Sequence, residues 1–189
     1  MSIDIQKSVF LFIFITLMSC TQDDSSDITV NETIDTTFVE KHGGLQVSGN
    51  QIINKIGEPV SFAGNSFFWS NDNWGGERFY NSEVVSWLKY DWNTKIVRAA
   101  MGVEDPGGYL DNKIANKNRI KTIVEAAIEE GIYVIIDWHS HHAEDNPDEA
   151  VLFFEEMATL YGEYNNIIYE IYNEPLDISW SNTIKPYAI

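Results

Sequence analysis

The chain has 189 residues, of which 44% are hydrophobic and 13% aromatic, a composition typical of a globular protein with a packed core. Its 29 acidic and 12 basic residues give a formal net charge of −17 at pH 7. Binding to nucleic acid or to an anionic membrane surface requires clustered Lys and Arg, so this charge argues against both partners. A neutral substrate fits the composition better.

The first twenty residues have the pattern of a secretion signal. An apolar run from Val9 to Met18 is too short to span a bilayer, and the chain's only cysteine, Cys20, stands where such a signal would be cleaved. The sequence Leu17-Met18-Ser19-Cys20 resembles a bacterial lipoprotein signal, in which the cysteine becomes the lipidated N-terminus. The alternative is a small buried cysteine, which the polar residues around it disfavour.

This interpretation predicts a lipoprotein signal peptide over residues 1–19, an acidic flexible tether over 20–43 and a folded domain over 44–189. The protein would be secreted across the inner membrane and held at the cell envelope by the lipid on Cys20, its only link to a membrane. A single cysteine also excludes an intramolecular disulfide.

Within the domain, short extended runs on either side of Ser48-Gly49-Asn50 predict a hairpin. Strand-like and helix-like segments then alternate, with strands over 60–65, 94–101, 132–137 and 167–171, helices over 83–92, 116–130 and 147–162, and a further helix from Ser179. Ser82 is the expected N-cap of the first helix, and Gly131 the left-handed C-cap of the second. The apolar positions at helical spacing are Val84, Trp87 and Leu88, then Ile120, Ile123, Val124, Ala127 and Ile128, then Leu152, Phe153, Met157 and Leu160.

Four βα units at a spacing of roughly 35 residues predict a parallel sheet, because each parallel strand needs a crossover helix. A doubly wound sheet would be expected to carry a glycine-rich phosphate loop after its first strand, and the segment 64–70, GNSFFWS, is not one. The sequence therefore favours an α/β fold of the (β/α)₈ TIM-barrel type, of which this chain carries about the first four units.

In such a barrel the chemistry collects at the carboxyl ends of the strands. Those ends carry polar and aromatic residues, each just past an apolar run: Phe68-Trp69, Arg98, Asp137-Trp138-His139 and Asn173-Glu174. A set of this kind is typical of a barrel that cleaves sugars.

Four motifs in this order carry a family resemblance: IVRAAM (96–101), GIYVIIDWH (131–139), IIYEIYNEP (167–175) and IKPYA (184–188). Together they resemble glycoside hydrolase family 5, in its bacterial endo-β-1,4-glucanase (cellulase) branch. The resemblance runs from about Gly44 to the last residue. It implies cleavage of a β-1,4-linked glucan by a retaining double displacement. We expect no cofactor.

The resemblance also implies roles for single residues. Glu174 would be the general acid/base, and Asn173 would bind the sugar 2-hydroxyl. Arg98 would contact the nucleophilic carboxylate, where a fixed cation favours the ionised form, and His139 would line the same subsite. The rival explanations are a solvated surface carboxylate for Glu174 and a structural ion pair for Arg98.

Trp69 and Trp74 are the candidates for stacking on glucosyl rings, since indoles present flat apolar faces to the C–H surfaces of a sugar. Both could instead be core residues, because indoles are often largely buried. The sequence departs from some family members at Phe67-Phe68-Trp69, where those members have a histidine after the first strand.

The run His139-Ser140-His141-His142 has a second interpretation, because a His-x-His pair after a barrel strand can ligate zinc. Metal-dependent amidohydrolases place that pair after the first strand, whereas here it follows the third, and no later histidine completes a site. We therefore expect no metal, and expect His141 and His142 to lie in a polar loop with Glu144 and Asp145.

A retaining mechanism needs two carboxylates about 5 to 5.5 Å apart, and in this family the second follows a later strand. The sequence ends at Ile189, within the fourth crossover, so we expect half a barrel, incomplete as a chain and inactive by itself. The alternative function is an inert or glucan-binding fragment without catalysis. A glutamate after a later strand, encoded or absent in the full gene, distinguishes the two.

Overall fold

A computed structural model of the protein describes residues 36–189. The predicted signal peptide, Cys20 and residues 20–35 of the predicted tether lie outside this range. Within it, no helix is long and apolar enough to cross a membrane.

The last residues of the predicted tether are folded rather than flexible. Helix α1 spans Phe38–His42, and Thr37 caps it in a capping box with Glu40. The helix is joined to the domain, because the Val39 N–H donates to the Gly131 carbonyl at 3.1 Å. The tether prediction is therefore wrong at its C-terminal end, where the local capping signal was missed.

The predicted hairpin is confirmed, with strands β1 (Gln46–Ser48) and β2 (Gln51–Ile53) paired antiparallel. Gly49 in its turn has φ +61°, which glycine adopts without steric cost. The Val60 N–H donates to the Ile52 carbonyl, so residues predicted to begin the next strand extend the hairpin region instead.

The remaining elements alternate along the chain as predicted. They are β3 (Gly64–Ser66), α2 (Ser82–Trp92), β4 (Ile96–Gly102), α3 (Lys113–Glu130), β5 (Tyr133–His139), α4 (Pro147–Tyr161) and β6 (Ile167–Glu170). A short π-helical turn (Trp180–Ile184) and a single turn, α5 (Lys185–Tyr187), stand where a further helix was expected after Ser179.

Strands β3 to β6 form one parallel sheet in chain order. A doubly wound sheet reverses its strand order at a switch point, whereas a barrel adds each strand beside the preceding one. The sequential order within residues 36–189 therefore confirms the predicted barrel, of which these are four consecutive βα units.

Side-chain alternation gives the sheet two different faces. Alternate residues of β4 and β5 join the buried core formed with the helices: Val97, Ala99, Met101, Val134, Ile136 and Trp138. The residues between them, which include Arg98, Asp137 and His139, occupy the opposite face, because successive side chains of a strand point to opposite sides. The polar residues predicted at the strand ends are thereby kept out of the core.

The helix faces were predicted with uneven success. On α3, Ile120, Ile123, Val124 and Ala127 are fully buried, and Gly131 ends the helix in the left-handed conformation at φ +64°. On α2 and α4 the prediction was partly wrong, because Trp87, Leu152 and Leu160 are exposed. The buried stripe of α4 runs instead through Ala150, Phe153, Met157 and Tyr161.

The N-cap of α2 was also predicted one residue late. Asn81, with extended backbone, accepts a hydrogen bond on its side-chain oxygen from the Val84 N–H at 3.0 Å, while Ser82 is the first helical residue. Asparagine and serine are about equally good N-caps, so residue type alone does not show which of the neighbours Asn81 and Ser82 is the cap.

Asn81→Ala should destabilise the full-length protein, meaning this chain with any sequence that the gene adds to it. The expected loss is about 1 kcal/mol, because the Val84 N–H loses its partner. Urea unfolding measures it. Asn81→Asp should retain the cap, and Ser82→Ala is the matched control; a larger loss from Ser82→Ala than from Asn81→Ala would contradict the assignment.

Candidate active site

The parallel register brings charged side chains of three strands together on the face opposite the helices. Asp137 of β5 lies beside Glu170 of β6 and beside Ala100 of β4, and Arg98 stands two residues before Ala100. These positions share one face by the two-residue period of a strand. The long guanidinium side chain of Arg98 reaches both carboxylates.

Arg98 makes most of the polar contacts in this cluster. Its Nε and Nη2 donate to the two carboxylate oxygens of Glu170, each at 2.7 Å, in the bidentate geometry that suits guanidinium. Nη2 also lies 2.9 Å from Asp137 Oδ2 and donates to Asn173 Oδ1 at 2.8 Å. Among residues 36–189, Nη1 has only a long contact, 3.5 Å to Ser66 Oγ. The structural ion pair considered for Arg98 is therefore present, and Nη1 remains available to a further acceptor.

In this cluster, burial and ion pairing shift the pKa values of the charged groups in opposite directions. Burial works against the charge of Arg98, but its hydrogen bonds to Glu170 and the nearby negative charges outweigh this effect and raise the pKa of Arg98. Asp137 is fully buried, and this desolvation raises the pKa of its carboxyl group, although contacts with His139 and Arg98 oppose the rise.

His139, at the end of β5, is fixed on two sides. Its Nδ1 lies 2.6 Å from Asp137 Oδ2, and its ring meets the Trp69 ring edge-to-face at 4.3 Å between centroids. Only 8% of the residue is exposed. The sequence prediction placed His139 beside the other strand-end residues, and the structure brings it into contact with two of them.

Asn173 and Glu174 follow β6 and differ sharply in burial. Asn173 is buried, its N–H donates to the Ser140 carbonyl, and its side-chain Nδ2 has no hydrogen-bond partner among the described residues. The Glu174 side chain is 78% exposed, and its backbone has φ +44°, a conformation that glutamate rarely adopts. Backbone outliers of this kind cluster at functional sites.

Trp69 and Trp74 lie at the same end of the sheet, after β3. Their rings stack on each other, with 5.3 Å between centroids and 24° between planes. Trp74 is 40% exposed and Trp69 is partly buried, so neither is a core residue. The structure therefore gives one exposed aromatic surface rather than two separated indoles.

The loop that carries these tryptophans is held by hydrogen bonds to its backbone. The Tyr80 hydroxyl oxygen lies 2.8 Å from the carbonyl oxygens of both Phe68 and Ala100, between which it shares its one proton, and Arg119 donates to the Ser70 carbonyl. Gly102 at the end of β4 leaves room for the loop, since a Cβ there would lie 1.8 Å from Asn71 Oδ1. The aromatic surface is consequently fixed against β4.

The loop after β5 contains the remaining histidines. His141 Nδ1 lies 3.3 Å from the Glu174 carbonyl oxygen and 3.9 Å from Glu174 Oε2, whereas His142 is exposed. The Tyr172 hydroxyl donates to Glu144, and burial together with this contact raises the pKa of Tyr172. Over residues 36–189, His, Cys, Asp and Glu side chains form no group of three or more that could hold a metal ion.

Sequence reasoning missed three residues that contact the site: Glu170, Tyr80 and His141. Glu170 could have been identified from the sequence, because it is the acidic residue of a strand that is otherwise apolar. By the two-residue period of a strand, its side chain lies on the same face of the sheet as that of Asp137. His141 was expected only as a polar loop residue. Nothing in the sequence indicated that Tyr80 is buried at the site, since a tyrosine before a helix is equally compatible with a surface position.

Comparison with known proteins places this arrangement in a family. A model described as "Cellulase (glycosyl hydrolase family 5)" matches residues 53–189. Endoglucanase Z of Dickeya dadantii is 59% identical over 145 residues, covering 76% of this chain and 34% of the relative. An endoglucanase of Clostridium saccharobutylicum is 41% identical over 151 residues, covering 77% of this chain and 33% of the relative. The chain thus spans about a third of the length of the curated relatives it matches.

Solved structures show the same relationship. A structure from Cytophaga hutchinsonii is 54% identical with a TM-score of 0.76, and the catalytic domain of Thermobifida fusca endoglucanase Cel5A is 34% identical with a TM-score of 0.74. In each case the match covers 80% of this chain and 49% of the other. A variant of the Thermobifida domain has been solved in complex with cellotetraose. The chain belongs to glycoside hydrolase family 5.

Proposed function

We propose that the full-length protein is an endo-β-1,4-glucanase that cleaves β-glucan with retention of anomeric configuration. The observation that carries this proposal is the pair Asn173–Glu174 at the carboxyl end of β6, beside the Arg98 cluster, in a chain that belongs to a glycoside hydrolase family. The relatives are endoglucanases, and one related domain binds cellotetraose.

Glu174 is the proposed general acid/base. Its exposed side chain is accessible to substrate and to the hydrolytic water, and its positive φ fixes the direction in which it leaves the strand end. Such a group first protonates the glycosidic oxygen and then removes a proton from water. A mobile surface carboxylate would not require a strained backbone.

Asn173 is the proposed ligand of the sugar 2-hydroxyl. Burial leaves its Nδ2 donor without a partner among the described residues, and an unpaired buried donor costs about 1 to 3 kcal/mol. A substrate hydroxyl would satisfy it. Because Asn173 Oδ1 accepts from Arg98, the amide is held with Nδ2 turned away from the guanidinium.

Arg98 is the proposed contact of the nucleophilic carboxylate. Nε and Nη2 are occupied by Glu170, Asp137 and Asn173, which leaves Nη1 as the donor for that contact. Residues 36–189 form four of the barrel's units, and we place the nucleophile after a strand of the other four. His139 lines the same subsite through the ring atoms that Asp137 leaves free.

Trp69 and Trp74 are the proposed binding surface for a glucosyl ring. Their stacked indoles lie beside His139 and are held rigidly by the anchored loop, so little conformational entropy would be lost on binding. Trp74 is the more exposed of the two and is therefore the residue that meets the sugar.

The proposal for the cell envelope rests on sequence alone. The motif Leu17-Met18-Ser19-Cys20 would place a lipid on Cys20, and the acidic residues that follow would keep the domain away from an anionic surface. A β-glucanase at this location would act on a substrate outside the inner membrane.

Glu174→Gln in the full-length protein should lower hydrolysis of carboxymethylcellulose by about 10²- to 10⁴-fold, because protonation of the leaving group is lost. Aryl glucosides with good leaving groups need little protonation, so their glycosylation step should survive as a burst of released phenol. Glu163→Gln, at an exposed site away from the carboxyl ends of the strands, is the control. Equal loss on both substrates from a folded variant would contradict the acid/base role.

Trp74→Ala should weaken binding of soluble β-1,4-gluco-oligosaccharides by about 3- to 10-fold, the effect of losing one favourable ring contact. Titration calorimetry measures the change directly when both proteins also carry Glu174→Gln, which keeps the ligand from being consumed. Trp87→Ala removes another exposed indole, 50% exposed against 40% for Trp74, from α2 and is the matched control, expected to bind as the wild type does. Unchanged affinity in Trp74→Ala would remove this tryptophan from the binding surface.

Mass spectrometry of the mature protein from its native host should find Cys20 at the N-terminus and acylated. Cys20→Ser should release the protein from membranes, because a lipid attached to this cysteine is the proposed anchor. An intact Met1, or an unmodified Cys20, would show that the signal was misassigned.

A further inference from the structure

Asp137 links two residues of the proposed active site through a single oxygen. Its Oδ2 lies 2.9 Å from Arg98 Nη2 and 2.6 Å from His139 Nδ1. The residue is fully buried, and its second oxygen, Oδ1, has no hydrogen-bond partner among the described residues. A buried carboxylate in which one oxygen has two polar partners and the other has none is an unusual arrangement for a purely structural residue.

The contact with Arg98 determines the direction of the hydrogen bond to His139. Burial raises the pKa of Asp137, but the guanidinium of Arg98 opposes that rise, and at about pH 9 the carboxyl group is ionised; an ionised carboxylate only accepts hydrogen bonds. The Nδ1 of His139 must therefore carry the proton that it shares with Asp137 Oδ2. In the neutral imidazole, Nε2 then has a free lone pair and is a hydrogen-bond acceptor.

Glu170 cannot substitute for Asp137 in this respect. It binds Nε and Nη2 of Arg98 through both of its oxygens, and it makes no hydrogen bond to His139. The edge-to-face packing of Trp69 restricts the plane of the imidazole ring, but an aromatic edge does not select a tautomer. Asp137 is the group that does so.

We propose that Asp137 is a positioning residue that fixes His139 as the Nδ1-protonated tautomer while holding Arg98, so that His139 presents Nε2 as an acceptor for a hydroxyl group of the bound sugar. The role assigned to the sugar rests on the proposed function, whereas the tautomer does not. Asp137 touches neither substrate nor water in this scheme and acts through the two residues that it orients.

The tautomer can be read by ¹⁵N NMR of the histidine-labelled full-length protein, with the His139 signals assigned by their loss in His139→Gln. At about pH 9 imidazole rings are neutral, and the wild type should carry the His139 proton on Nδ1. A wild-type spectrum with that proton on Nε2 would overturn the proposal without any variant of Asp137.

Asp137→Ala should shift the proton toward Nε2, because Nδ1 loses its acceptor, and should lower kcat/KM on soluble β-glucan by about 10²-fold through misplacement of two site residues. Asp137→Asn can place its carbonyl oxygen where Oδ2 lies, so it should recover the Nδ1 proton and part of the activity. Glu170→Gln alters only the Arg98 contact and should leave the tautomer unchanged.

An unchanged tautomer in Asp137→Ala, or an equal shift in Glu170→Gln, would overturn the role of Asp137. If Asp137→Ala does not fold, the wild-type spectrum and Glu170→Gln still decide the question. Absence of β-glucan hydrolysis by the wild type would instead contradict the proposed function. It would not affect the tautomer of His139, which the NMR experiment determines independently of activity.

Discussion

The site depends on the polar interactions that the guanidinium of Arg98 makes. This group joins β4 to β5 through Asp137, to β6 through Glu170, and to the segment after β6 through Asn173. Two carboxylates facing each other across adjacent strands would repel, and a fully buried one would be costly to desolvate without a cation. One positive charge among two negative ones makes the arrangement tolerable and leaves the cluster with a net negative charge when His139 is neutral.

This constraint explains why the chemistry lies where it does. A strand turns alternate side chains away from the core, so ionisable groups survive within β4, β5 and β6 only on the face opposite the helices. Arg98 then draws the carboxylates and Asn173 to the same end of that face. Glu174, one residue beyond Asn173, leaves the cluster and enters solvent at a strained backbone position. The proposed acid/base is thus exposed at its carboxyl group, while its backbone has a defined, strained conformation.

The sequence predicted the order of strands and the residues at their ends, because hydrophobic period and terminal position are local properties. It did not predict which groups would pair. Arg98 and Glu170 are 72 residues apart, and their contact depends on strand register, which follows from the fold. The N-cap at Asn81 and the folded helix at Phe38–His42 were missed because neighbouring polar residues offered equally plausible local solutions. The stacking of Trp69 on Trp74 depends on a loop that is held in part by Arg119, which is 49 residues along the chain from Ser70.

The central claim is that Glu174 acts with a second carboxylate in a double displacement. The most direct test is ¹H NMR of a β-1,4-gluco-oligosaccharide during hydrolysis by the full-length protein, observed before the products equilibrate between anomers. Two successive inversions at the anomeric carbon retain configuration, so the new reducing ends should appear first as the β-anomer. First appearance of the α-anomer would show a single displacement and would contradict the account.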